Sequence, residues 1–416
     1  MRRRLVKNKS NKPRPIPASM RLKVPIYRLY LDDLNKKFFD IPRIISLEKA
    51  MSPDPPSGSE RVFNIAILGA NHEVTKLVGE SLGAPGNKSD LLFYNRLDAS
   101  LGQIFTAIDP VTYPEKLKPL LQACYLAEIH IMVIDAETGI NAAVGEIMIA
   151  MDIFAKRFHT KTVGVIGNIT NSNEWRIEEI KTKFPKIAKG TALEQLPFYC
   201  LKERADYDQL KKTLVDLGLT IPLQEPEKAP YVKVLIDSCF PVKGVGTVVL
   251  GVVKQGLLVA GEMYDLIGGN ERSKIIVRSI QKQDRDFKTA VPGDRIGLAL
   301  KGPKPEDVDR NTYLVSLNAF TLDKKFAGKL TVSPFYKPPE GSISNANTRQ
   351  YYLIVDLAVT SVKITGGDPL KPGQTGPIEL TCEKEIAHEP KHLWGILADF
   401  GQFENKLRII GTFLLE

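Results

Sequence analysis

From Val62 to about Leu219, apolar strand-like runs alternate with helical patterns, and after the segment PLQEPEKAP the texture changes to short β-branched strands set between glycines. The first part reads FNIAILG, a helix-like stretch, QIFTAID, the helical PEKLKPLLQACYLA, IHIMVID, the helical VGEIMIAMDIFAKRF, then TVGVIGN, with RADYDQLKKTLVDL as a closing helix. Such alternation predicts βαβ units on a parallel sheet. The second part reads YVKVLID, GTVVLGVVKQG, GEMYDLIG, SKIIVRSIQ and GDRIGLALKG, the pattern of a small β-barrel, followed by a third β-rich unit from about Asn318 to the C-terminus. The expected order is therefore α/β, then β, then β.

A chain of 416 residues is too long for one ordinary core, in keeping with several domains. No apolar run approaches the length of a membrane span, and the basic N-terminus lacks the apolar core of a secretory signal, so a cytoplasmic protein without a membrane partner is expected. Cys124, Cys200, Cys239 and Cys382 are far apart with no CxxC pair, which argues against zinc and against a disulfide framework; all four are read as buried thiols.

Charge is uneven. The whole chain carries 57 Lys and Arg against 48 Asp and Glu, whereas residues 1–50 alone hold 14 against 4, so the excess lies at the N-terminus. Residues 1–60 are punctuated by proline and cannot build a long helix or a core of their own. They read as a basic arm, with Ser52 to Glu60 as a joint. Its cations Arg2, Arg3, Arg4, Lys7, Lys9, Lys12, Arg14, Arg21 and Lys23 are the candidate contacts to RNA phosphates, through binding that should weaken with salt and carry little sequence preference.

The first strand ends in Gly69-Ala70-Asn71-His72-Glu73-Val74-Thr75-Lys76 and opens into a helix, the place of a phosphate-binding loop. A working loop needs a second glycine for its backbone amides, a lysine for the β and γ oxygens and a hydroxyl for magnesium. Without a gap, Val74-Thr75-Lys76 replaces that ending. A one-residue gap would bring Lys76 to the lysine position but put Leu77 in place of the hydroxyl.

The clearest motif is Val242-Lys243-Gly244-Val245-Gly246-Thr247-Val248-Val249-Leu250-Gly251-Val252-Val253, then Gly256 and Gly261-Glu262. It resembles the domain-two barrel of translational GTPases such as EF-Tu and SelB. Val291 to Gly302 and Glu306-Asp307-Val308-Asp309-Arg310 resemble the end of the same domain, with Asn311 where a glycine is usual. Leu407-Arg408-Ile409-Ile410-Gly411-Thr412 resembles the end of SelB's third domain. Ser89 to Asn95 and Pro110 to Leu121 are similar to an archaeal SelB-like group whose GTPase motifs are degenerate. The resemblance covers about residues 62–416. It implies a P-loop-type α/β G domain over 61–222, a domain-two barrel over 228–316 and a domain-three barrel over 317–416, with the basic N-terminal extension outside it.

On this resemblance the nucleotide site would comprise Gly69, Thr75, Lys76, Asp109, Asn168 and Asn171, in altered form. Asp109-Pro110-Val111-Thr112-Tyr113 stands where the family has D-x-P-G-H, so the γ-phosphate-sensing glycine and the water-positioning histidine are lost. Asn168-Ile169-Thr170-Asn171 stands for N-K-x-D, with an amide where guanine needs an acceptor. Joint decay implies a pseudo-GTPase with no catalytic residue and no cofactor, GTP included. The pair His388 and His392 flanks Pro390, a poor metal face, so no metal is expected; Asp135 and Glu137 are read as structural.

The function this implies is a non-hydrolysing translation-factor-like protein held on the ribosome by its arm, as in hibernation, protection or assembly, with tRNA as another candidate partner. Two alternatives stay open. One is an unconventional GTPase or ATPase using Lys76; the other is a nucleotide-independent tRNA carrier.

Overall fold

The computed structural model describes residues 61–98, 102–268, 271–402 and 406–415. The arm and its candidate cations Arg2, Arg3, Arg4, Lys7, Lys9, Lys12, Arg14, Arg21 and Lys23 lie outside the described residues.

The first domain contains β1 (Arg61–Gly69), α1 (His72–Leu82), β2 (Ala84–Pro85), β3 (Leu92–Asp98), β4 (Gln103–Asp109), α2 (Leu117–Leu126), β5 (Ile129–Asp135), α3 (Ala142–Phe158), β6 (Lys161–Gly167), α4 (Arg176–Ile187), β7 (Phe198–Cys200) and α5 (Arg204–Leu219). The sheet order is β2-β3-β4-β1-β5-β6-β7. From β4 to β7 neighbours run parallel, while β3 runs antiparallel to β4. Helices cover both faces, so β5 is buried along its whole length, as its nearly unbroken apolar run requires. One face packs Ile65, Ile67, Val78, Phe105, Val163 and Leu210.

The second domain has β8 (Lys233–Val242), β9 (Gly246–Gln255), β10 (Leu258–Val259), β11 (Met263–Gly268), β12 (Glu271–Lys282), β13 (Arg285–Phe287), β14 (Thr289–Ala290), β15 (Arg295–Lys301) and β16 (Tyr313–Val315). The order β11-β16-β8-β9-β15-β12 closes through a β11–β12 pairing. Two glycines show why the motif needs them. Gly246 turns the β8–β9 hairpin at φ +102°, and a Cβ on Gly251 would sit 2.3 Å from the Leu235 carbonyl oxygen.

The third domain has β17 (Thr321–Val332), β18 (Tyr351–Val355), β19 (Ala358–Gly367), β20 (Thr375–His388), β21 (Trp394–Ala398) and β22 (Ile409–Leu415). They close a barrel in the order β17-β20-β19-β18-β21-β22. Along β17 and β20, buried and exposed residues alternate, the period of strands with one wet face.

Each barrel has an interior cluster of its own, and a further apolar cluster joins the domains: Leu120, Leu121 and Tyr125 of the first with Tyr313 of the second and Phe320, Ile354 and Leu357 of the third. Among the described residues no helix is long and apolar enough to cross a membrane. Two cysteines depart from the expected burial: Cys124 and Cys382 are buried, but Cys200, at the end of a sheet edge strand, and Cys239, in β8, are half-buried.

Candidate functional site

The β1–α1 turn contains only Ala70 and Asn71. Asn71 caps α1: its side-chain oxygen accepts from the Glu73 amide at 3.1 Å, and its carbonyl accepts from the Val74 and Thr75 amides, each at 3.1 Å. These are the N-terminal amides that would face a phosphate at such a turn.

Thr75 is fully buried and points inward, where its hydroxyl donates to Asp109 Oδ2 at 2.8 Å. His72 Nδ1 lies 3.1 Å from the same oxygen. Burial pushes the Asp109 carboxyl up to about 6, against the pull of Thr75 and His72. Working loops place a hydroxyl and an aspartate together around magnesium, so Thr75 stands in the hydroxyl's place. The turn is then one residue shorter than G-x-x-x-x-G-K-[ST], with Glu73 for the second glycine and Val74 for the lysine. The gap thus runs opposite to the one that would recruit Lys76. Lys76 and Leu77 are on the exposed face of α1, while the Val74 side chain fills the space beside Gly167. Gly69 ends β1 tightly, since a Cβ there would lie 2.6 Å from Thr75 Cγ2.

The residues after Asp109 are fixed to other elements. The Tyr113 hydroxyl donates to the Ala143 carbonyl at 2.8 Å, and its ring lies 5.8 Å from the Arg408 guanidinium. Arg408 in turn pairs with Glu146 of α3, both buried, at 2.5 Å. Burial first, and the Glu146 carboxylate second, raise the Tyr113 phenol well above its ordinary value.

At the base-binding end, Asp135 ties three segments together. Its Oδ2 accepts from Asn71 at 2.7 Å, and its Oδ1 from Asn168 at 2.9 Å and from the Glu137 amide at 2.8 Å. Asn168 turns in the left-handed region at φ 55°. Asn171 is exposed; the residue that organises this loop is Asn173, only 3% exposed. It accepts from the Thr170 amide at 2.8 Å and donates to the Asn168 carbonyl at 2.9 Å and to Glu137 at 3.1 Å. Sequence inspection passed over Asn173. Its only signal is an amide inside a loop flanked by turn-forming residues.

Several residues that carry the family resemblance also meet at domain junctions. Arg310 of the second domain donates to Asp90 at 2.8 Å, to Gln122 at 3.2 Å and to the Asp237 carbonyl at 3.0 Å. Burial alone would raise the Asp90 carboxyl, but the hydrogen bond and charge of Arg310 hold it below its usual range. Asn311, in place of the usual glycine, accepts from the Val359 amide at 3.0 Å and so links the two barrels. His388, a candidate of the metal pair, is bonded to Asp323 at 3.0 Å and to the Glu389 carbonyl at 2.7 Å, while His392 contacts Arg157 at 3.3 Å.

No family model matches the chain. An uncharacterised protein of Methanocaldococcus jannaschii is 27% identical over 313 residues, covering 75% of this chain and 88% of that protein. The selenocysteine-specific elongation factor of the same organism is 27% identical over 236 residues, which is 56% of this chain but only 49% of that factor. Among solved structures, translation elongation factor SelB from Methanococcus maripaludis in complex with a GTP analogue superposes with a TM-score of 0.73 at 20% identity, covering 86% of this chain and 80% of that one. A bacterial selenocysteine-specific elongation factor gives a TM-score of 0.68 at 16% identity, covering 86% of this chain and 58% of that one. At these identities the structural likeness speaks for the fold.

Proposed function

We propose that this chain, whose fold is that of SelB and whose sequence is 27% identical to a selenocysteine-specific elongation factor, is a GTP-independent, non-hydrolysing translation factor that binds the ribosome. The observation that carries this reading is the β1–α1 turn, where the Asn71 side chain accepts from the Glu73 amide and Val74 replaces the phosphate-binding lysine. A magnesium-bound triphosphate does not fit this donor set. Glu73 adds a carboxylate where the dipole and amides of α1 would otherwise favour an anion.

Tyr113 and Arg408 support the same reading. In a switching GTPase, the segment after the DxxG aspartate reorders with the γ-phosphate. Here that segment is bonded to α3 and its Tyr113 ring lies beside the buried ion pair that joins α3 to Arg408 of the third domain. A protein without that release step suits occupancy of a ribosomal site, as in hibernation, protection or assembly. The basic arm supplies contacts to ribosomal RNA, and tRNA is the second partner the reading admits.

The unconventional GTPase loses ground because Lys76 faces solvent, away from the Thr75–Asp109 contact. Calorimetric titration of the full-length chain with GDP and with a non-hydrolysable GTP analogue, with and without magnesium, tests the proposal. We expect no saturable heat; micromolar, magnesium-dependent binding would overturn it.

A further inference from the structure

A cavity of 390 Å³ lies where all three domains meet, at the C-terminal ends of α2 and α3, along β8 and β9, and under the β20–β21 turn. Its volume is that of small-molecule sites. One wall is aromatic: Tyr125 meets Phe154 edge to face with centroids 4.7 Å apart, and Phe158 meets Trp394 likewise at 5.1 Å. The Phe158 ring is 47% exposed, unusual for a ring in such a cluster.

Charge on the walls is unevenly matched. Lys233 is paired with Asp356 at 2.6 Å and Lys254 with Glu128 at 3.1 Å. Arg157 has no carboxylate partner among the described residues. Its guanidinium is held 5.6 Å from the Phe158 centroid and 5.8 Å from that of Trp394, and among the described residues its hydrogen-bond partner is the His392 ring, at 3.3 Å. Aromatic faces fix the plane of a guanidinium and leave its edge for a carboxylate or phosphate.

We propose that this junction cavity binds a small ligand made of a flat aromatic ring and one anionic group, with the ring against Phe158 and Trp394 and the anion on Arg157. Such a compound is either a nucleoside monophosphate or an aromatic carboxylic acid. Because the ligand touches all three domains at once, its binding is linked to their arrangement by mass action. It rests on the proposed GTP independence only for its role as the effector that replaces GTP; the site itself stands on the cavity.

The test uses the full-length chain with Trp175→Phe, which leaves Trp394 as the sole tryptophan of the 2 in the sequence. Its emission is followed during separate titrations with AMP, 4-hydroxybenzoate and inorganic phosphate. We expect one of the two ring compounds to saturate below about 1 mM, which names the source. Adding Arg157→Gln should weaken that binding by about tenfold or more, with the melting temperature unchanged. The proposal is overturned if neither ring compound saturates, if inorganic phosphate does as well as either, or if Arg157→Gln leaves the affinity in place. A guanine-nucleotide titration read by calorimetry fails or succeeds independently of Trp394, so the two proposals are separable.

Discussion

Arg408 of β22's approach and Glu146 of α3 form a buried ion pair across the interface between the first and third domains, with the Arg408 amide also donating to Glu146 at 2.8 Å. Removing one partner leaves the other charged and without its counter-ion in the interface. Glu146→Gln or Arg408→Met should each cost about 3–5 kcal/mol, read by urea denaturation. The double variant Glu146→Gln with Arg408→Met should cost less than the sum of these two single changes. Additive costs would show that the two residues act separately.

Asp109 predicts the direction of a pH effect. Its folded value of about 6 lies above the ordinary 3.8, so between these values the folded chain holds a proton that the unfolded chain has released. The contribution is full below 3.8 and is lost as pH rises through about 6. Asp109→Asn keeps the site neutral at every pH, so its unfolding free energy should exceed that of the wild type at pH 7.5 by an amount on the order of 2 kcal/mol, and the advantage should vanish near pH 4. A variant less stable at both pH values would mean that the ionised carboxylate stabilises the turn.

Asn171 and Asn173 separate resemblance from organisation. Asn171→Asp restores the family's guanine-reading side chain at an exposed position, yet no guanine-nucleotide binding should appear in calorimetry, because the phosphate end remains closed by Asn71. Asn173→Ala strips partners from the Thr170 amide and the Asn168 carbonyl. Thermal denaturation should show a loss of about 1–3 kcal/mol.

Gly411 tests the third barrel. A Cβ there would lie 1.9 Å from the Thr331 carbonyl oxygen of the paired strand, where backbone cannot yield cheaply. Gly411→Ala should cost about 1–3 kcal/mol in denaturant unfolding; an unchanged midpoint would mean that β17 and β22 separate more readily than their pairing implies.

The parts of this fold legible in the sequence are those with a strong period. The apolar runs of β1, β4, β5 and β6 and the glycine spacing of β8 and β9 could be read directly, because burial on two faces and tight barrel turns dictate residue type. Helix α4 passed unnoticed although Ile177, Ile180 and Phe184 lie on one helical face, since its other positions are polar and Pro185 interrupts the pattern. The short β2 and β7 carry too few residues for a period to declare itself, and β3 is legible only as a motif. At the site, Gly69, Asp109 and Asn168 were recognisable, but the direction of the gap was not. Choosing between Thr75 and Leu77 needs the knowledge that one side chain turns toward Asp109 and the other toward water, which only the packing of α1 on the sheet decides. The meeting of Arg310 with Asp90 could not be read either, because contacts so distant in the chain leave no local pattern.

The most direct measurement is co-sedimentation of the full-length chain with ribosomes from its source cells, across a salt series, without nucleotide and then with GTP or its non-hydrolysable analogue and magnesium. Salt-sensitive pelleting that is the same under all nucleotide conditions is the predicted result. Pelleting that requires the GTP analogue, or none at any salt, would contradict it.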